Sequence, residues 1–128
     1  MLRHLSAGGF LSHCRWNSLL ESMLSGVPMI AWPMYAEKKM NATMLTEEVG
    51  VAARPKVVPT KAAVGREEIE MMVRKVMEGQ EGKAMRARVK ELKISGEKAL
   101  SEDGSFTAVS HLAKECIMNS QCQKVKAL

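Results

Sequence analysis

Apolar positions gather in two short runs and then recur at helical spacing along the rest of the chain. Behind Gly8-Gly9, the run Phe10-Leu11-Ser12-His13 reads as a buried strand. Ser18-Leu19-Leu20-Glu21 has the S-x-x-E form of a capping box and predicts a helix that opens there and stops at Gly26. A second run, Val27-Pro28-Met29-Ile30-Ala31-Trp32, is apolar throughout and lies between Gly26 and Pro33. Such a run suits the middle of a parallel sheet covered on both faces, with Pro28 near its start, where a missing donor is tolerated.

From Ala36 the period lengthens. Met40, Met44, Leu45 and Val49 fall on one face of a helix ending at Gly50, and Val51-Ala52-Ala53 is long enough for a short third strand. Residues 54–65 carry two prolines and read as a loop. Beyond it, Ile69, Met72, Val73 and Val76 make a helical stripe punctuated by Gly79 and Gly82. Met85, Val89 and Leu92 make the next. After the Asp103-Gly104-Ser105 turn, Phe106, Val109, Leu112, Ala113 and Cys116 line a last helix. Residues 119–128 show no period and are expected to fray, so the folded part is expected over 1–118 as a single domain. The order strand–helix–strand–helix–strand followed by helices is an α/β pattern with a parallel sheet. Two or three strands are few for a doubly wound sheet, so the chain is expected to be the rear portion of a larger fold.

Composition changes this picture little. The 128 residues carry a net charge of +5, with six Lys/Arg against four Asp/Glu in residues 1–59 and thirteen against ten in 60–128. The basic cluster Lys83, Arg86, Arg88, Lys90 and Lys93 shares its stretch with Met85, Val89 and Leu92 at helical spacing, which reads as a solvated helix face rather than a nucleic-acid surface. Three cysteines, Cys14, Cys116 and Cys122, have no C-x-x-C spacing and suggest neither a disulfide framework nor a zinc site. No run reaches the roughly 20 apolar residues of a membrane span, and no signal peptide is evident; the expected compartment is the cytoplasm.

The candidate chemistry sits at the strand ends, where open α/β sheets bind ligands. His13, Asn17 and Ser18 fall between the first strand and its helix, and a helix N-terminus with unpaired N–H groups attracts phosphate. Glu37 and Lys38 follow the second strand, where a carboxylate can accept hydrogen bonds from sugar hydroxyls. Together these positions suit a phosphorylated, hydroxyl-rich ligand. Trp16 lies in a polar loop and suits a pocket, while Trp32 reads as core. Glu21 either closes the capping box or faces the ligand.

Residues 4–38, from His4-Leu5-Ser6-Ala7-Gly8-Gly9-Phe10 through His13-Cys14-Arg15-Trp16-Asn17-Ser18 and Gly26-Val27-Pro28 to Trp32-Pro33-Met34-Tyr35-Ala36-Glu37-Lys38, resemble the donor-binding signature box of plant family 1 UDP-dependent glycosyltransferases. Both tryptophans stand in order at the family's spacing. The stretch Glu81–Phe106 is similar to the branch acting on hydroquinone and phenylpropanoids. The resemblance implies a GT-B fold, of which this chain holds part of the second, Rossmann-like domain. It further implies that His13, Asn17 and Ser18 hold the diphosphate of a UDP-sugar, that Glu21 binds the ribose, and that Trp16, Glu37 and Lys38 lie at the transferred sugar. Transfer to a phenolic hydroxyl would invert the anomeric carbon, with a base supplied by the other domain, no metal, and no catalytic residue in this chain.

Four departures qualify that expectation. The box lacks its opening residues, a Trp that stacks on uracil and a nearby Gln, so the chain reads as truncated at its N-terminus. Arg15 stands where the family has Gly, whose place there reflects close backbone approach or an unusual φ. Arg15 either obstructs the pocket, the reading preferred from sequence, or pairs with the diphosphate. Lys38 replaces a Gln and donates without accepting, which leaves the sugar open. The acceptor domain is missing, so the chain is expected to be inactive alone. The alternative is a non-catalytic interaction protein that pairs with full-length relatives.

Overall fold

The computed structural model describes residues 2–57 and 59–126. Its elements in chain order are β1 (Phe10–Ser12), α1 (Trp16–Ser25), β2 (Met29–Ala31), α2 (Ala36–Thr43), a π-helical turn (Met44–Glu48), β3 (Ala52–Ala53), α3 (Arg66–Met77), α4 (Gln80–Ala99) and α5 (Ser105–Lys126). The three strands form one parallel sheet in the order β1-β2-β3, with Phe10 opposite Met29, Ser12 opposite Ala31, and Met29 opposite Ala52. The expected α/β class and parallel sheet are present. The strands are shorter than the apolar runs because pairing covers only Phe10–Ser12 against Met29–Ala31 and Met29–Ile30 against Ala52–Ala53.

Alternation along β2 divides the core between the two faces of the sheet. Met29 and Ala31 join Cys14, Leu19, Leu45, Val51 and Val89 on one face. Ile30 joins Ala53, Met72, Val76 and Met85 on the other, with Trp32 partly buried against them. Burial on both faces is the reason β2 is apolar at every position rather than at every second one. Gly8 and Gly9 lie under α3. A Cβ on Gly8 would meet Met77 Cε at 2.6 Å, and one on Gly9 would meet Val76 Cγ1 at 3.3 Å.

Several local expectations are corrected. The helix after β1 opens at Trp16 with Arg15 as its N-cap and no side-chain capping bond, so Ser18 lies in the first turn and the Ser18–Glu21 capping box does not form. Gly26 does end α1: at φ 73° it takes the left-handed conformation that favours glycine, and Val27 N–H bonds back to the Ser22 carbonyl at 3.1 Å. The helix predicted through Val49 changes hand-hold at Thr43, where α2 gives way to the π turn and Val49 N–H reaches the Met44 carbonyl, five residues back. Thr46 Oγ1 donates to the Ala42 carbonyl there, competing with the backbone ladder. On α3 the buried line is Met72 and Val76, with Ile69 and Val73 exposed. Gly82 does not end a helix; it is buried within α4, against the last carbonyls of α3.

The chain divides into two compact units, Met1–Ile94 and Ser95–Leu128, where sequence suggested one domain. The first holds the sheet. In the second, α5 covers residues 119–126, the segment without a hydropathy period, while residues 127–128 lie outside the described residues. The α5 stripe of Phe106, Val109 and Leu112 is exposed.

Candidate functional site

Parallel pairing sets the ends of β1 and β2 side by side, because Ser12 faces Ala31 and Trp32 N–H donates to the Ser12 carbonyl at 2.7 Å. The chain leaving β1 passes through His13, Cys14 and Arg15 into α1; the chain leaving β2 passes through Pro33 and Tyr35 into α2. The candidate residues therefore stand at adjacent strand ends, as their spacing predicted. His13, Trp16 and Asn17 are exposed and Ser18 half-buried at the start of α1; Glu37 is exposed and Lys38 half-buried at the start of α2.

The turn between β1 and α1 carries the one non-glycine residue with positive φ among the described residues, Cys14 at 67°. Its thiol is fully buried, and the residue is anchored by two backbone bonds and one thiol contact. Cys14 N–H donates to Ser12 Oγ at 3.2 Å, Cys14 Sγ lies 3.5 Å from the Ser12 carbonyl, and Asn41 Nδ2 of α2 donates to the Cys14 carbonyl at 3.0 Å. Burial pushes the Cys14 thiol above its ordinary value, against a smaller lowering from the Trp32 backbone. Cys14 is thus a protonated packing group at neutral pH, not a nucleophile.

Arg15 itself has φ −74° and ψ 143°, ordinary extended backbone. Of the two reasons for glycine at this position, an unusual φ does not apply: the left-handed residue is its neighbour Cys14. Arg15 is exposed and makes no ion pair among the described residues. α1 has no acidic side chain in its first turn, so nothing there offsets the positive end of the dipole.

Asn17 and Glu21, one turn apart on α1, line an open cleft of about 450 Å³ together with Leu2, Arg3, Leu20 and Leu24. That volume falls within the ~300–1,000 Å³ of small-molecule sites. With the capping box excluded, Glu21 makes no capping bond among the described residues, and this exposed residue lines the cleft. His13, Trp16, Ser18, Glu37 and Lys38 do not line it. Lys38 instead holds its ammonium 4.7 Å from the centre of the Tyr35 ring.

Sequence reasoning missed a second, basic cleft of about 530 Å³ lined by Pro33, Lys39, Thr43, Arg54 and Lys56. Arg54 there is committed to Thr43 Oγ1 at 2.9 Å and to Glu47 at 2.6 Å. It also missed Asn41, which carries no motif signal and matters only because parallel pairing brings α2 beside the β1–α1 turn.

The family model for UDP-glucoronosyl and UDP-glucosyl transferase matches residues 1–93. Among curated relatives, anthocyanidin 3-O-glucosyltransferase 5 of Manihot esculenta is 60% identical over 116 residues, which cover 90% of this chain and 24% of that protein. Hydroquinone glucosyltransferase of Rauvolfia serpentina is 55% identical, over 88% of this chain and 24% of that protein. Among solved structures, TcCGT1 in complex with UDP matches at a TM-score of 0.86 with 57% identity, covering 92% of this chain and 25% of that one. UGT2 of Phytolacca americana, complexed with UDP-2fluoro-glucose and pterostilbene, matches at 0.84 with 45% identity, over 89% of this chain and 26% of that one. The chain thus spans about a quarter of the length of the relatives it matches. Its sequence and its backbone both agree with theirs, and the chain belongs to the UDP-glucoronosyl and UDP-glucosyl transferase family.

Proposed function

We propose that this chain binds the nucleotide part of a UDP-sugar, as the donor-binding portion of a glycosyltransferase that moves a hexose to a phenolic hydroxyl with inversion. The observation that carries the reading is the cleft beside α1, lined by Asn17 and Glu21, in a chain 57% identical to a protein solved with UDP. The first-turn N–H groups of α1, at the positive end of its dipole, take the diphosphate together with His13, Asn17 and Ser18. Glu21 accepts from the ribose hydroxyls. Trp16, Glu37 and Lys38 lie at the transferred sugar, where Glu37 accepts hydrogen bonds from its hydroxyls and Lys38 only donates.

A diphosphate held by helix N–H groups and a histidine needs no metal for charge compensation, and a metal-independent reaction in the cytoplasm is part of the proposal. We assign no catalytic base to these 128 residues. Inverting transfer requires a base on the acceptor hydroxyl, and the resemblance puts it on the other domain, which also selects the phenol.

Calorimetric titration of UDP and UDP-glucose into the chain tests the reading, after circular dichroism establishes that it is folded. Saturable binding, weakened about tenfold or more by His13→Ala or Asn17→Ala, is expected. A folded chain that takes up no UDP overturns the proposal.

A further inference from the structure

Cys14 sits at φ 67° between the strand and the helix that carry His13, Asn17 and Ser18. A side chain in this conformation places Cβ too close to the following carbonyl, which disfavours it roughly fivefold to thirtyfold against extended or helical backbone. The turn persists only if its surroundings hold it. Two of its anchors, the Ser12 hydroxyl and carbonyl, are local to β1 and move with the turn. The third is not. Asn41 lies 27 residues away on α2, is half-buried, and donates from Nδ2 to the Cys14 carbonyl at 3.0 Å.

That bond ties the two halves of the candidate site. Asn41 is one turn beyond Glu37 and Lys38 on α2, and Cys14 lies between His13 and the first turn of α1. Among the described residues no backbone N–H of α1 takes up the Cys14 carbonyl; the Arg15 carbonyl accepts the first helical bond, from Leu19 at 3.1 Å. Without Asn41, the carbonyl of buried Cys14 loses this donor, and the turn loses its link to α2.

We infer that Asn41 is a positioning residue for the donor site: its amide holds the left-handed turn at Cys14, and thereby fixes His13 and the N-terminus of α1 relative to Glu37 and Lys38. The ligand half of this inference rests on the proposed UDP-binding role; the turn-holding half does not. Asn41 touches no ligand itself. Its contribution is preorganisation, and it should appear as lost affinity with the fold intact.

The test compares wild type, Asn41→Ala, Cys14→Gly and the double variant by amide hydrogen exchange and by UDP titration. Asn41→Ala is expected to speed exchange of the Cys14 and Leu19 amides at least tenfold, with core amides such as Ile30 little changed, and to weaken UDP about tenfold. Glycine takes φ 67° without the Cβ penalty, so in the Cys14→Gly background the same Asn41→Ala change should weaken UDP less than threefold. A merely structural role predicts faster exchange throughout the core, Ile30 included, and no such rescue. Unchanged exchange at Cys14 and Leu19 overturns the inference whatever UDP does. Faster exchange with UDP affinity unchanged in Asn41→Ala also overturns it. If the folded wild type binds no UDP, the functional reading fails, and the exchange arm alone still decides whether Asn41 holds the turn.

Discussion

Replacing Gly82 by alanine sets two physical effects against each other with opposite signs. On helix propensity alone, alanine within α4 should stabilise by about 1 kcal/mol. The tertiary contact says otherwise. A Cβ at Gly82 would lie 2.6 Å from the Lys75 carbonyl oxygen and closer still to that of Val76, both backbone atoms at the end of α3. Ordinary contact begins at 3.4 Å, so α4 must retreat by about 1 Å locally to clear the nearer of the two oxygens. Retreat also loosens Arg86, which donates to the Val76 carbonyl at 2.7 Å and to the Met77 carbonyl at 3.1 Å and so closes the end of α3. Overpacking of this kind costs roughly 1–3 kcal/mol, and weakening the two partly exposed guanidinium bonds adds about 1 more. Subtracting the propensity gain leaves a net loss of about 1–3 kcal/mol. For 128 residues the unfolding entropy is about 0.27 kcal/mol per kelvin, so Tm should fall by roughly 4–11 °C in a calorimetric or circular-dichroism melt. A Tm equal to or above that of the wild type would show that the helices separate at no cost, and would refute the reasoning.

Three further outcomes concern Arg15 and the cysteines. Arg15→Gly removes an exposed cation with no ion-pair partner among the described residues, and is expected to weaken UDP about twofold to fivefold and to flatten its salt dependence; tighter binding by the variant would mean that Arg15 obstructs the cleft instead. The Cys14 thiol has its folded-state pKa raised above 9.0, so the unfolded chain releases this proton first. Its contribution is complete below about pH 9 and is lost as pH rises toward the folded value. Denaturant midpoints at pH 7.5 and 10 should therefore fall further for wild type than for Cys14→Ala, and an equal fall would contradict the burial argument. At neutral pH, peptide mass mapping should find Cys116, which is exposed, alkylated by iodoacetamide and Cys14 protected.

Much of the arrangement was legible in the order of residues. The unbroken apolar run around Met29–Ala31 determined a strand covered on both faces, since only such a strand needs no polar side. Gly26 determined where α1 ends, because its left-handed φ is cheap only for glycine. The spacing from His13 through Ser18 to Glu37 and Lys38 determined that the candidate donor residues gather at strand ends, and their resemblance to the family is itself a property of sequence.

What the tertiary structure alone decided lies in contacts between distant segments. Arg15, not Ser18, is the N-cap of α1, because the helix starts where the chain leaves the sheet rather than where a capping motif happens to occur. The left-handed residue is Cys14 instead of its neighbour, held there by Asn41 from 27 positions away. Gly82 proved a contact glycine rather than a helix stop, because α3's last carbonyls occupy the space of its missing side chain. Hydropathy period and local propensity report what each segment prefers by itself. They are silent on which segment will lie against it, and at Cys14, Asn41 and Gly82 that neighbour is the whole of the explanation.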